Sequence, residues 1–125
     1  MAIEGEPLLV VCLCAEWCGV CRDYRDSFEQ VKLAIQAGHP QAQFVWLDVE
    51  DEADLLHPLD VADFPTLLIA VGETPRFFGS ITRQPQTLER LVRSAVLRPQ
   101  AAALRDPELH AALARIQATL GLVNP

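Results

Sequence analysis

The sequence predicts a single α/β domain. Three observations predict it: an apolar run that switches abruptly to a helical period, further short apolar runs set between helical stripes, and glycine or proline at the junctions. Residues 8–14, L-L-V-V-C-L-C, are apolar on both faces, as a central strand covered on both sides requires. From Cys18 the period changes. Tyr24, Phe28, Val31 and Ile35 stand at i, i+4, i+7 and i+11, one stripe of a helix that Gly38 and Pro40 end. Residues 43–49 read as a second strand, and 51–57 as a short acidic helix stopped before Pro58. Two more strands, 66–71 and 76–79, are joined through Gly72-Glu73-Thr74-Pro75, short enough for a hairpin. Leu88, Leu91, Val92, Ala95 and Val96 mark another amphipathic helix, ending before Pro99. A last helix opens with Asp106 as N-cap and Pro107 in the first turn, and carries Leu109, Leu113, Ile116 and Leu120 on one stripe. The order is β-α-β-α-β-β-α plus a further helix. It divides into a domain over residues 1–98 and a helical extension over 99–125, packed on that domain or on a partner.

A chain of 125 residues buries a sizeable core without cysteine staples. Half of it is hydrophobic and it shows no repeat or low-complexity tract, which excludes disordered and fibrous classes. Its longest apolar run is too short to span a bilayer, so no membrane is expected as a partner. The start, M-A-I-E-G-E-P, has two glutamates where an export signal would be basic. The expected location is therefore cytoplasmic, with the periplasm as the alternative if a signal has been removed. Residues 1–75 hold 14 acidic and 3 basic side chains, a net of −11, against +4 over residues 76–125, which argues against nucleic acid. The acidic run 48–54 lacks the glycine turn and distal glutamate of a calcium loop and reads as a solvated helix start.

At the first strand-to-helix junction, E-W-C-G-V-C-R-D sets Cys18 and Cys21 three positions apart. Such a pair serves as a structural disulfide, half a metal site, a redox dithiol or helix packing. At a helix N-terminus, Cys18 would meet unpaired N–H groups and the positive end of the dipole, which favour its thiolate. It becomes a nucleophile. Cys21, one turn further on, would attack the resulting mixed disulfide, releasing reduced product and closing a Cys18–Cys21 disulfide. That cycle needs an external thiol reductant and no cofactor beyond the disulfide itself. Gly19 lets a substrate backbone approach closely. The rival chemistry is a metal site, because Cys12, Cys14, Cys18 and Cys21 form C-x-C-x3-C-x2-C. Cys12 and Cys14 would share one face of a buried strand, about 6.6 Å apart at about 3.3 Å per residue. Gathering all four thiolates would distort strand and helix start together, so no metal is expected and Cys12 and Cys14 read as packing residues. His39, His57 and His110 form no spaced ligand pair and read as surface residues.

The element order, with W-C-G-V-C at the first turn and D-F-P-T placing Pro65 47 positions after Cys18, resembles the thioredoxin superfamily over about residues 7–97. The resemblance implies a thioredoxin-like three-layer fold with a mixed central sheet of about four strands flanked by helices, here with an extra C-terminal helix. It implies Cys18 as the exposed nucleophile, Cys21 as the buried resolving thiol and a cis Pro65 beside them. Trp17 matches the family tryptophan; with Gly19, Val20, Phe64 and Pro65 it makes the expected substrate-binding surface. There the backbone of Phe64 and Pro65 would take an extended substrate as an added strand. The activity implied is thiol–disulfide exchange on protein disulfides. The alternatives are a non-catalytic thioredoxin-like interaction module and a four-cysteine metal-binding protein, and disulfide reduction with dithiothreitol supplied separates them.

Departures from the family pattern are specific. Val20 stands where a proline is common between the cysteines, Cys12 where thioredoxins proper carry a buried aspartate, and Trp46 where they carry a lysine. Both members of a buried acid–base pair are therefore absent. The usual first strand and helix have no counterpart in the seven residues before the first strand. Residues 44–49 then become an outer strand in which Val45, Trp46 and Leu47 form an apolar edge. The C-terminal extension, or a second subunit in a homodimer, is expected to shield it.

Overall fold

The computed structural model describes residues 8–15, 19–57, 61, 64–81, 84–97 and 104–120. Strand β1 (Leu8–Cys14) is buried along its whole length, as its continuous apolar sequence requires. It pairs in parallel with β2 (Gln43–Asp48) and antiparallel with β3 (Thr66–Val71), and β3 pairs antiparallel with β4 (Thr74–Ser80). The sheet order is β2-β1-β3-β4. The parallel pair needs a crossover, supplied by α1 (Gly19–Gly38). Helix α2 (Ala53–Leu56) follows β2, and α3 (Pro85–Leu97) and α4 (Pro107–Leu120) complete the chain.

Alternation along β1 sorts the two faces. Leu8, Val10, Cys12 and Cys14 share one core cluster with Cys21, Tyr24, Phe28, Val31 and Ile35 of α1 and Leu88 and Val92 of α3. Leu9, Val11 and Leu13 point the other way, into a cluster with Leu56 of α2 and Leu109, Leu113 and Ile116 of α4. The result is a helix–sheet–helix sandwich. The α1 stripe recurs every three to four residues, which is why one face of a 20-residue helix is buried while Arg22, Arg25 and Glu29 stay in water.

Several boundaries differ from the sequence expectation, each for a local reason. The acidic run does not enter a helix at residue 51. The Asp48 carboxylate accepts the backbone N–H groups of Glu50 (2.8 Å) and Asp51 (3.0 Å), folding an Asx-type turn that delays α2 to Ala53. The hairpin turn is tighter than expected. Val71 pairs with Thr74, so Thr74 and Pro75 belong to β4, and only Gly72 and Glu73 turn the chain, with Gly72 at φ 62°. A positive φ at the first turn residue alone matches a II′ hairpin, the position where glycine costs least. Pro75 is tolerated because β4 is an edge strand, and the register shift between Ile69 and Ala70 leaves Arg76 as the extra residue of a bulge.

The C-terminal helix packs on the domain. Asp106 caps it, its carboxylate accepting the N–H of Glu108 at 2.9 Å. The apolar stripe of the helix lies on the sheet face opposite α1 and α3, in one cluster with Leu47 and, packed against it, Val45 of β2, so the extension shares in covering two of the three residues of the expected apolar edge. Trp46 and Phe44 of β2 are instead covered from the α1 side, where Phe28 meets both rings edge-on at 5.6 Å and the Arg25 guanidinium lies 4.8 Å from the Trp46 ring centre. Two polar side chains fasten α4. Arg115 donates to the carbonyls of Leu55 and His57, both at 2.8 Å, and the Gln117 amide donates to Gly72 O at 2.8 Å.

Candidate functional site

Cys21 lies in the first turn of α1, only 1% exposed. It belongs to the same buried cluster as Cys12, Cys14 and Tyr24, with Phe64 packed against it. Phe64 and Pro65 are joined by a cis peptide bond, with Pro65 buried and Phe64 half-buried just before β3. The Pro65 carbonyl accepts the N–H of Ile81 at 3.3 Å, tying the entrance of β3 to the chain leaving β4. The fold thus brings Cys21 and Phe64, 43 positions apart in sequence, into one neighbourhood. Gly19, the first residue of α1, is exposed, and a Cβ placed there would meet nothing within 4 Å. The helix itself therefore does not require glycine at that position. Trp17 and Cys18 lie outside the described residues, as does the side chain of Val20.

Two features of this neighbourhood were not visible in the sequence. The first is a cleft of about 380 Å³ that Cys21 helps to line. Arg22 and Arg25 of α1, Trp46 of β2, and Asp51 and Glu52 of the following turn line it, so both charge signs surround an approach to a buried thiol. The only sequence signal was the polar i, i+3 pair Arg22 and Arg25; its partner walls are more than twenty positions away. The second is a buried group of three polar side chains. The sulfurs of Cys12 and Cys14 are 3.6 Å apart. The Tyr24 hydroxyl lies near both, is buried, and has no hydrogen-bond partner among the described residues. Burial first, and then the nearness of Cys12 and Cys14, pushes the Tyr24 phenol well above its usual ionisation range. It is a neutral hydroxyl.

Cys12, Cys14 and Cys21 are thiols. Among the described residues, no three of His, Cys, Asp and Glu come together to hold a metal ion, and His39, His57 and His110 are exposed. No described helix is long and apolar enough to cross a membrane.

Comparison with known proteins follows the same outline. The family model described as Thioredoxin matches residues 2–94. Thioredoxin-2 of Saccharomyces cerevisiae is 32% identical over 95 residues, covering 74% of this chain and 85% of the relative. Thioredoxin-1 of the same yeast is 35% identical over 68 residues, 54% of this chain, and there the match spans only 62% of the relative's length. Among solved structures, thioredoxin from Trypanosoma brucei brucei superposes with a TM-score of 0.60 at 22% identity, covering 77% of this chain and 80% of that one, a likeness of fold. With the family model matched over most of its length and a relative of nearly the same extent, the chain belongs to the thioredoxin family.

Proposed function

We propose that the chain is a thiol–disulfide oxidoreductase acting on protein disulfides through a Cys18–Cys21 couple. The observation that carries this is the placement of Cys21: a buried thiol in the first turn of α1, on the lining of a cleft and in one cluster with the residue before Pro65. A resolving thiol needs that shelter, since it must meet the neighbouring sulfur and not a second substrate. Cys18, one residue before α1, attacks a substrate sulfur as thiolate. The substrate S–S bond breaks, its electron pair leaving on the second substrate sulfur, and a Cys18–substrate disulfide forms. Cys21 then attacks the Cys18 sulfur, displacing the substrate as thiol and leaving the chain oxidised. An external thiol reductant, itself oxidised to a disulfide, returns the pair to dithiol. Trp17, Gly19, Val20, Phe64 and Pro65 form the surface that receives the substrate, the backbone ahead of β3 pairing with it as an added strand.

Three buried thiols suit a reducing compartment, so we place the protein in the cytoplasm. Because β2 ends the sheet, edge pairing of two β2 strands is the arrangement we propose for any homodimer. The function is tested by insulin reduction with dithiothreitol as electron source. Wild type should accelerate precipitation of the insulin chains, Cys18→Ser should not, and Cys21→Ser should accumulate a mixed disulfide with substrate. A wild-type protein no faster than dithiothreitol alone would leave a thioredoxin-fold interaction module as the reading.

A further inference from the structure

Resolution of a mixed disulfide needs a place for the Cys21 proton, since the thiolate and not the thiol attacks. Among the described residues, the groups around Cys21 divide by whether they can take it. On the sheet side stand Cys12 and Cys14 of β1 and Tyr24 of α1, two thiols and a neutral phenol, each already carrying a proton of its own. On the cleft side, Arg22 and Arg25 of α1 are guanidinium ions, donors only. The carboxylates remain. Asp48, Asp51 and Glu52 line the same cleft as Cys21, the one described thiol on its wall. Asp48 is already spent on the turn, its Oδ1 accepting the N–H groups of Glu50 and Asp51, and Asp51 is exposed to bulk water. Glu52 is half-buried with a pinned backbone: its N–H donates to Asp48 O and its carbonyl accepts the N–H of Leu55, both at 3.0 Å. It stands at the N-cap of α2, but its side chain makes no capping bond there, which leaves the carboxylate to the cleft it lines. Of the other charged or titratable groups near it, Glu50, Asp54 and His57 are exposed and off the cleft wall, and Arg115 of α4 is engaged with the Leu55 and His57 carbonyls. A cleft of about 380 Å³ has room for water, and one water carries a proton between polar groups that do not touch.

We propose that Glu52 accepts the Cys21 proton through water in this cleft, so that the turn between β2 and α2 supplies the base that β1, with Cys12 and Cys14, lacks. The inference rests on the Cys18–Cys21 reading and adds a positioning residue to it. The Cys21 thiol gives its proton to a water, which passes one to the Glu52 carboxylate. The Cys21 sulfur attacks Cys18: the Cys18–Cys21 bond forms, the Cys18–substrate bond breaks, and its electron pair leaves on the substrate sulfur. The proton then leaves Glu52 for solvent or for that departing thiolate. Charge and proton transfer predict opposite signs here. A negative carboxylate near a thiol disfavours the thiolate, so removing the charge alone would speed resolution, whereas removing the proton acceptor slows it.

The resolution step can be read by itself. Reduced protein, in excess and stripped of reductant, is mixed in a stopped-flow cell with dithiobis(nitrobenzoate), whose thiolate is coloured and needs no proton to leave. Attack by Cys18 releases the first thiolate; attack by Cys21 on the Cys18 adduct releases the second, at a rate independent of protein concentration. In wild type that second rate should change little between about pH 6 and pH 8, whereas hydroxide as the only base would raise it about tenfold per pH unit. Glu52→Gln should slow it about tenfold at the acid end and restore the steep rise, a smaller effect than the roughly 10²–10⁴-fold of a base in direct contact. Glu52→Asp, which keeps a carboxylate, should recover part of the rate. A steep rise in wild type overturns the proposal, and that profile needs no variant to fold. Glu52→Gln resolving as fast as wild type or faster overturns it too, the faster rate being the effect of charge alone. A first release without a second, or no release at all, overturns the Cys18–Cys21 reading itself, and the role of Glu52 falls with it.

Discussion

Replacing Tyr24 by phenylalanine removes one atom from the centre of the core and should stabilise the protein. Tyr24 is 1% exposed, and its hydroxyl has no hydrogen-bond partner among the described residues. A buried hydroxyl left without a partner costs about 1–3 kcal/mol relative to its hydrated state in the unfolded chain. Phenylalanine keeps the ring contacts with the α1/β1 cluster and removes that cost. Allowing for weak contact with the Cys12 and Cys14 sulfurs, the net gain should be about 1 kcal/mol, or roughly 3–5 °C in Tm for a domain of this size. The pH dependence carries a second signature. The folded-state phenol ionises above its usual value of 10.0, so the folded state prefers the neutral form. Its contribution is fully present below pH 10 and is lost as pH rises above it, because the unfolded chain then sheds a proton the native state holds. Wild type should therefore lose stability above about pH 10 more steeply than Tyr24→Phe. Tyr24 is the sole tyrosine, so tyrosinate absorbance in the folded protein reports this group alone and should stay silent through pH 10. A Tyr24→Phe protein destabilised by about 1 kcal/mol at neutral pH, the loss expected for deleting a made hydrogen bond, would refute the assignment.

Two further substitutions probe the supports of the site. Arg115→Ala removes both donors to the Leu55 and His57 carbonyls at the end of α2; these are charge-assisted but partly in water, so the cost should be about 1–2 kcal/mol in a denaturant titration. Arg115→Lys should recover less than half of it, since an ammonium lacks the two-pronged fork, and full recovery would show that charge alone matters. Gly19→Ala should leave Tm unchanged or slightly raised, because the added methyl meets nothing, while slowing insulin reduction and sparing small disulfides. Equal rates on insulin for the two proteins would remove Gly19 from the substrate surface.

How much of this was legible in the sequence depends on whether a feature is set by direction or by distance. The seven apolar residues of β1 announce a strand covered on both faces, and the spacing of Tyr24, Phe28, Val31 and Ile35 announces the buried side of α1, because both are questions of which way side chains point. The Asp106 cap was legible for a similar reason: its partner is two residues away. The Asx turn at Asp48 was not, since an acidic run supports a helix start and a capped turn equally until one side chain captures the N–H groups. Helix α4 shows the limit more sharply. Its stripe states that it must be buried, but which surface it covers belongs to the face of the whole sheet left open opposite α1 and α3, which no local pattern contains.

The cysteines follow the same division. Period-two alternation assigns Cys12 and Cys14 to one face of β1, and the motif assigns Cys21 to the first turn of α1. The 3.6 Å separation of the two strand sulfurs is set by rotamers packed against Tyr24 and α1, which no strand pattern contains. The same packing fills the two positions where the family resemblance leads one to expect an aspartate and a lysine: Cys12 is a thiol of the buried cluster, and Trp46 lies between the edge-on ring of Phe28 and the Arg25 guanidinium. The charges that remain near Cys21 stand outside, on the walls of the cleft, where water screens them and no buried ion has to be sustained.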